Sequence, residues 1–159
     1  MSEAVATPSD HTLAVMLWCW GRRGAAVRYL HDLAAGMQAD PRVQVHLGIS
    51  RQSDFYDQAV ASGLPLFTVD TYTSGLSFAR GFLRLPTLRQ RFYRYLRQHQ
   101  IAVVDDTLSH LWHPFVTGVV HAAGAKLIMT VHDAEPHPGE DILGRDWLLR
   151  REVAAADHV

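Results

Sequence analysis

The sequence predicts an α/β protein, a three-layer Rossmann-like domain whose parallel sheet carries helices on both faces. Two observations support this fold class. Short apolar runs alternate with amphipathic stretches along the 159 residues, which is the order typical of a parallel sheet covered by helices. The first run, residues 13–18, contains no polar side chain, as expected for a central strand buried on both faces.

Length and composition limit the domain organisation and the partners. A chain of 159 residues suffices for one domain with a buried core and is short for two. We expect a polar lead-in over 1–11 and the Rossmann-like domain over 12–159. The formal net charge of −1 predicts no nucleic acid partner. Cys19, the single cysteine, excludes an internal disulfide and is typical of a reducing compartment.

No segment resembles a signal peptide or a membrane span. Residues 1–11 contain no Lys or Arg, and no small-residue cleavage site follows the apolar run of 13–20. That run is also too short to cross a bilayer. The sequence therefore predicts a cytoplasmic location.

The apolar pattern places the elements in order along the chain. Strands are predicted over 13–18, 43–49, 64–69, 101–104 and 126–131, and helices over 25–38, 54–61, 86–98, 113–123 and 145–156. Residues 71–81 contain Gly and Ser without a clear period, so we expect a loop there. Residues 157–159 resemble the start of a sixth strand, which predicts that the domain is truncated at its C-terminus.

Ligands of open parallel sheets bind outside the carboxyl ends of the strands, so the loops after strands one, four and five are the candidate sites. The first loop contains Gly21, Arg22, Arg23 and Gly24. Glycines allow close backbone approach, a helix N-terminus attracts anions, and the arginines add positive charge. The loop lacks the G-x-G-x-x-G pattern, so a plain strand-to-helix turn is an equal alternative.

The fourth strand ends on two adjacent carboxylates, Asp105 and Asp106. Neighbouring side chains of an extended chain point to opposite faces, so these two do not form an obvious acid–base pair. Either one could bind a sugar hydroxyl. Capping of a turn is the interpretation we favour from the sequence alone.

The loop after the fifth strand has the most specific composition in the chain. It combines His132, Asp133, Glu135 and His137 with two prolines and a glycine. Prolines lower the entropic cost of fixing polar groups, and His132 can exchange a proton near neutral pH. The competing interpretation is a metal site that uses His110 and His113, three residues apart, with His132 and His137, five residues apart. No H-E-x-x-H run or Cys pair supports it, and we predict none.

The helix predicted over 86–98 is rich in arginine and aromatic residues. Its apolar stripe should pack on the sheet, which leaves the arginines on the outer face. A solvated surface is the favoured interpretation. The alternative is that this basic helix holds the protein on anionic lipid at the inner face of the membrane. The arginines concerned are Arg84, Arg89, Arg91, Arg94 and Arg97.

From about residue 13 onward the sequence resembles the N-terminal domain of family-4 retaining glycosyltransferases of the GT-B fold. The resemblance rests on the glycine loop that leads into VRYLHDLA, on the strand IAVV, on LIMTVHD followed by EPHPG, and on the final AADHV. Two positions depart from the family pattern. Alanines 25 and 26 stand where a Glu often follows the glycine loop, and Asp105 replaces a common His.

The resemblance implies a function for each loop. The domain would bind the acceptor, with Asp105, Asp106, Asp133, Glu135 and His137 as its contacts, while a second domain would bind the donor. The loop of Gly21 to Gly24 would face the donor phosphates, and His132 would lie near the reacting sugar as the catalytic residue.

The substrates would be a nucleotide-sugar and a sugar or lipid-linked acceptor, without a further cofactor. We expect the chain alone to be inactive. The alternative is a stand-alone sugar- or nucleotide-binding module.

Overall fold

The structure is a computed structural model that describes residues 12–131 and 145–159. Within these ranges the strands are β1 (Leu13–Cys19), β2 (Val43–Ser50), β3 (Leu66–Val69), β4 (Val103–Leu108) and β5 (Lys126–Met129). The helices are α1 (Ala25–Gln38), α2 (Tyr56–Ala61), α3 (Gly75–Gln98), α4 (Thr117–Ala122) and α5 (Arg145–Ala155), and a short 3-10 turn covers His113–Phe115.

All neighbouring strands pair in parallel, in the order β3-β2-β1-β4-β5. The prediction of a Rossmann-like parallel sheet is therefore confirmed. The strand order reverses between β1 and β4, because the chain runs outward to β3 and then returns to the other side of β1. Such a switch point opens a crevice at the carboxyl ends of the two central strands, and this crevice positions the candidate site.

Strand β1 separates two hydrophobic cores. Its odd-numbered side chains, Val15 and Leu17 among them, pack with α1 and α2 on one face. Its even-numbered side chains, Met16 and Trp18 among them, pack with α3 and α4 on the other. This period of two places apolar groups on both faces of the strand. The sheet is thus the middle of three layers, as the unbroken apolar run predicts.

The prediction of a loop over residues 71–81 is wrong, because α3 begins at Gly75. Ser74 caps the helix: its side chain accepts a hydrogen bond from the backbone N–H of Ser77, and the Ser77 hydroxyl bonds back to the Ser74 N–H at 2.9 Å. This reciprocal capping box satisfies two N–H groups at the helix start. Pro86 consequently lies inside the helix rather than in its first turn.

Strand β4 begins at Val103 and continues to Leu108, so Asp105 and Asp106 lie within the strand and not after it. The helix predicted over 113–123 is divided into the 3-10 turn and α4. At the other end of the sheet, His158 forms one parallel bridge with Ile128, where a sixth strand was expected to start. The helix predicted over 25–38 is confirmed at both ends.

In the described parts of the chain, no helix is both long enough and apolar enough to cross a membrane.

Candidate functional site

The loop between β1 and α1 depends on glycine at two positions, for different reasons. A Cβ added to Gly21 would lie 2.6 Å from the Leu108 side chain, so this residue lets the loop pass close to the end of β4. Gly24 precedes α1 with φ of 103°, a conformation that L side chains rarely adopt. No side chain caps this helix end, and its first turn holds no acidic residue. The N–H groups at the start of α1 are therefore open to an anion.

The two arginines of this loop are exposed on different sides of it. The Arg22 guanidinium lies 5.8 Å from the centre of the Tyr72 ring, whereas the Arg23 side chain lies 3.7 Å from the Asp54 carboxylate. The backbone oxygen of Arg22 also accepts a hydrogen bond from the Asp54 N–H at 2.9 Å. These contacts tie the glycine loop to the neighbouring loop after β2 and to Tyr72 after β3.

Asp105 and Asp106 project to opposite faces of β4, as the sequence predicts. Asp105 is half-buried, and its carboxylate lies 3.4 Å from the Thr130 hydroxyl. Burial, with a further contribution from the Asp106 charge, raises the pKa of Asp105 to about 6. A carboxyl group with such a pKa can both accept and release a proton near neutral pH.

Asp106 is 1% exposed and belongs to a buried polar cluster. Its Oδ2 atom lies 2.8 Å from Nδ1 of His113, and the two groups share a hydrogen bond. Burial raises the pKa of Asp106 to about 8 and lowers the pKa of His113 well below its ordinary value. The Trp18 ring stacks on the His113 ring with centroids 3.8 Å apart, so the cluster is fixed in place by the sheet.

Helix α5 supplies the third member of this cluster. Glu152, also closed off from solvent, accepts a hydrogen bond from the Ser109 hydroxyl and places Oε1 at 3.8 Å from Nδ1 of His113. Burial raises the pKa of Glu152 to about 8, and the Asp106 charge adds to this shift. The cluster therefore connects α5 with the end of β4 and with the 3-10 turn.

Asp106, His113 and Glu152 are the group of described residues that could hold a metal ion, since one ligand atom from each lies within 4.8 Å of the others. Of the histidines weighed in the sequence for a metal, this group contains His113. The His113 nitrogen is already hydrogen-bonded to Asp106, so the structure also gives these side chains a role without an ion. The expectation that the protein has no metal site stays a prediction.

Ring contacts of His110 and Tyr72 connect this cluster to Arg22 of the glycine loop. The His110 ring is 5.5 Å from both Tyr72 and His113 and 6.1 Å from Trp20, measured between ring centres. Burial lowers the pKa of His110 well below its ordinary value, and the nearby His113 and Arg22 lower it further. His110 is therefore a neutral imidazole at the edge of the crevice.

The four candidate residues after β5, His132, Asp133, Glu135 and His137, lie outside the described residues. Their roles stay predictions. The backbone N–H of Thr130, two residues before His132, donates a hydrogen bond of 2.9 Å to the backbone carbonyl oxygen of Asp106. This bond brings the described start of that segment to the end of β4.

Sequence reasoning missed Glu152, Ser109 and the partnership of Asp106 with His113. In the sequence Glu152 is one of several charged residues of α5, and its burial follows only from how α5 packs. A signal did exist for His113, because an imidazole beside a proline after an apolar strand is placed near the sheet edge. No sequence feature indicated which carboxylate it would contact.

Together these features define a class of protein: an open Rossmann-like α/β domain whose candidate site lies at the carboxyl ends of β1 and β4. The solved structure of MurG from Acinetobacter baumannii shares this fold with a TM-score of 0.66 and 12% sequence identity, over 91% of this chain and 40% of that one. A UDP-N-acetylglucosamine 2-epimerase matches with a TM-score of 0.63 and 14% identity, over 92% of this chain and 41% of that one. The chain thus spans about two fifths of the length of these neighbours.

The sequence model of Glycosyltransferase Family 4 matches residues 26–159. The chain therefore belongs to this family, and the resemblance seen in the sequence is confirmed. No curated protein sequence matches the chain significantly.

Proposed function

We propose that this chain is the acceptor-side domain of a glycosyltransferase that moves a sugar from a nucleotide-sugar donor to an acceptor. The family match over residues 26–159 carries this proposal. The open start of α1 at the switch point supports it, because a helix N-terminus with free N–H groups attracts phosphate. Neither the donor sugar nor the nucleotide is specified by the described residues.

In this proposal the glycine loop faces the donor diphosphate. Gly24 keeps side chains away from the start of α1, and Arg22 supplies positive charge on the side of Tyr72. Positive charge and fixed N–H groups stabilise the charge that develops on a departing nucleoside diphosphate. Catalysis by retention additionally requires His132 near the reacting sugar, which is the role that the family resemblance implies.

Acceptor contacts are proposed for Asp105 and, beyond the described residues, for Asp133, Glu135 and His137. Asp105 supports this role by its place at the crevice and by its partial exposure. Asp106 faces the buried cluster instead, so we propose that it positions the end of β4 rather than touching the acceptor. The donor would bind mainly to a second domain, so the chain alone should not transfer sugar.

The test joins this chain to the sequence that follows it in its gene and measures the transfer of labelled sugar from nucleotide-sugars. Arg22→Gln and His132→Ala should each reduce kcat/KM by about tenfold or more. Arg150→Gln on α5 is the control, since it removes an exposed arginine outside the crevice. Undiminished transfer by His132→Ala would remove that residue from the mechanism. Equal activity of Arg22→Gln and Arg150→Gln would do the same for the glycine loop.

A contact with the membrane surface is proposed for α3, with the protein located in the cytoplasm at the inner face of the membrane. The structure extends the basic helix predicted over 86–98 back to Gly75. That added half contains two strongly exposed leucines, Leu76 and Leu83. An arginine-rich helix with exposed apolar side chains is suited to an anionic lipid surface.

A stand-alone module that binds a sugar or nucleotide without transferring it remains the second candidate function. The open N-terminus of α1 would serve such a module equally well. The two functions predict different results for the joined protein: the module binds a nucleotide-sugar without consuming it, whereas the transferase releases the nucleoside diphosphate.

A further inference from the structure

A cavity of about 400 Å³ lies between the end of β3, the first half of α3 and Trp112. It is separate from the glycine loop but opens at the same end of the sheet, since Asp70 and Thr71 directly follow β3. The polar side chains that line it are those of Asp70, Thr71, Ser77, Arg80, Arg84, Thr87, Arg91 and Trp112.

Three arginines and Trp112 give the cavity lining four side chains that can only donate hydrogen bonds, and its hydroxyl groups can donate as well. Guanidinium groups and the indole N–H donate only. The indole nitrogen of Trp112, a residue 3% exposed, has no hydrogen-bond partner among the described residues. Asp70 is the acidic residue of the lining, and Arg51 and Gln52 contact its carboxylate at 3.4 Å each. The indole nitrogens of Trp18 and Trp20 also lack a partner, but Trp112 is the one of the three that lines this cavity, where an acceptor on a ligand could satisfy it.

Three arginines line the cavity against a single carboxylate, that of Asp70. Helix α3 contains six arginines and no acidic residue, although the chain as a whole has a net charge of −1. Arg89, Arg91 and Arg97 donate to backbone oxygens. Arg80 and Arg84 have no ion-pair or hydrogen-bond partner within the described part of the chain. Their planar guanidinium groups match the geometry of phosphate oxygens.

Exposed apolar side chains adjoin the cavity. Leu76 and Leu83 are 63% and 83% exposed and lie two helical turns apart, with Arg80 between them on the same face of α3. A ligand whose phosphate enters the cavity would therefore place an attached hydrocarbon chain against this leucine face.

We propose that this cavity binds the phosphoryl group of an amphiphile, whose hydrocarbon chain lies against Leu76 and Leu83. The same chemistry occurs in the headgroup of a bilayer phospholipid and in a lipid-linked acceptor. In the second case the cavity is the acceptor's phosphate site, and that reading rests on the proposed glycosyltransferase function. Binding itself does not depend on turnover, so the two proposals fail separately.

The experiment measures dissociation constants of the 159-residue chain by titration calorimetry, without any sugar donor. The probes are farnesyl phosphate, inorganic phosphate and farnesol, which present the whole amphiphile and its two halves. We expect farnesyl phosphate to bind at least about tenfold more tightly than either half. Arg80→Gln/Arg84→Gln should weaken it about tenfold, because two charge-assisted hydrogen bonds are lost.

Two further variants divide the site into its parts. Leu76→Ser/Leu83→Ser should reduce the affinity for farnesyl phosphate to that for inorganic phosphate. Trp112→Phe keeps an aromatic ring and removes the N–H donor, so it should weaken binding of both phosphates. Arg42→Gln/Arg150→Gln is the matched control, since it removes two exposed arginines away from α3 and from the cavity and should change affinity less than about twofold.

Sedimentation with vesicles distinguishes the two sources of the phosphate. Binding to phosphatidylglycerol vesicles that is lost with Arg80→Gln/Arg84→Gln supports the bilayer headgroup as occupant. Binding of farnesyl phosphate without binding to such vesicles supports the lipid-linked acceptor. Equal losses in the two arginine pairs, equal affinity for inorganic and farnesyl phosphate, or no binding of farnesyl phosphate would each overturn the proposal.

Discussion

Nδ1 of His113 lies 2.8 Å from Oδ2 of Asp106, and both side chains are shielded from solvent. This pair joins the 3-10 turn to the end of β4, and Glu152 brings α5 to the same point. The cluster is only partly satisfied, because Oδ1 of Asp106, Nε2 of His113 and Oε1 of Glu152 have no hydrogen-bond partner among the described residues, so the loss of a further contact would be costly. The edge of the sheet that carries the candidate site is thus held by buried hydrogen bonds as well as by apolar packing.

Removal of one member should destabilise the fold strongly. Asp106→Ala leaves His113 buried without its partner, and we expect a loss of about 3 kcal/mol in the free energy of unfolding. Asp106→Asn keeps the shape and one hydrogen-bonding atom, so its loss should be smaller. Urea unfolding followed by circular dichroism measures both. Equal stability of Asp106→Ala and the wild type would show that the pair contributes nothing.

The same cluster predicts that stability falls as the pH rises from 6.5 to 8.5. Burial raises the pKa of Glu152 from 4.5 to about 8 and that of Asp106 from 3.8 to about 8. The native state therefore holds protons that the unfolded state has released. The stabilising contribution is complete below the unfolded pKa values and is lost as the pH rises through about 8. Each group changes stability by on the order of 1 kcal/mol per pH unit in this window.

Glu152→Gln removes the contribution of Glu152 to this pH dependence of stability, because the amide has no proton to lose. Thermal unfolding across the pH range should give a shallower decline for this variant than for the wild type. The lowered pKa values of His46, His110 and His113 make an opposing contribution, because these side chains bind protons only in the unfolded state, and it fades as the pH rises above about 6.5. This contribution is the same in the variant and the wild type, so the difference between their slopes reports Glu152. Identical slopes for the variant and the wild type would contradict the assignment.

Gly81 should tolerate no side chain. A Cβ at this position would lie 2.1 Å from the Trp112 ring, which lines the cavity beside α3. We expect Gly81→Ala to destabilise the protein by about 1–3 kcal/mol through overpacking. Gly36→Ala in α1 is the matched control. No atom lies within 4 Å of its added Cβ, so the higher helix propensity of alanine should stabilise the protein slightly. Chemical denaturation of the two variants should give opposite signs.

Much of the fold could be predicted because the apolar pattern reports burial directly. The run that became β1 was recognisable as a central strand, since each of its two faces meets a hydrophobic core. The first half of α3 was missed for two reasons. Gly75 and Gly81 weaken the helical pattern, and the Ser74–Ser77 capping box that starts the helix is a weak signal in the sequence. Local composition was outweighed there by capping and by packing on the sheet.

The candidate site was only partly predictable. The geometric demands on Gly21 and Gly24 follow from their place between a strand and a helix, and the structure shows both. The contact of Asp106 with His113 depends on the path of the chain between them, and the contact with Glu152 depends on the docking of α5. Such long-range polar contacts leave no periodic trace in a sequence.

The most direct test of the account is a transfer assay on the chain joined to the sequence that follows it in its gene. The joined protein should move labelled sugar from a nucleotide-sugar onto an acceptor with release of the nucleoside diphosphate, while the 159-residue chain alone should not. Binding of nucleotide-sugars by the joined protein without any consumption, across donors of different sugars and bases, would contradict the glycosyltransferase assignment and favour a binding module.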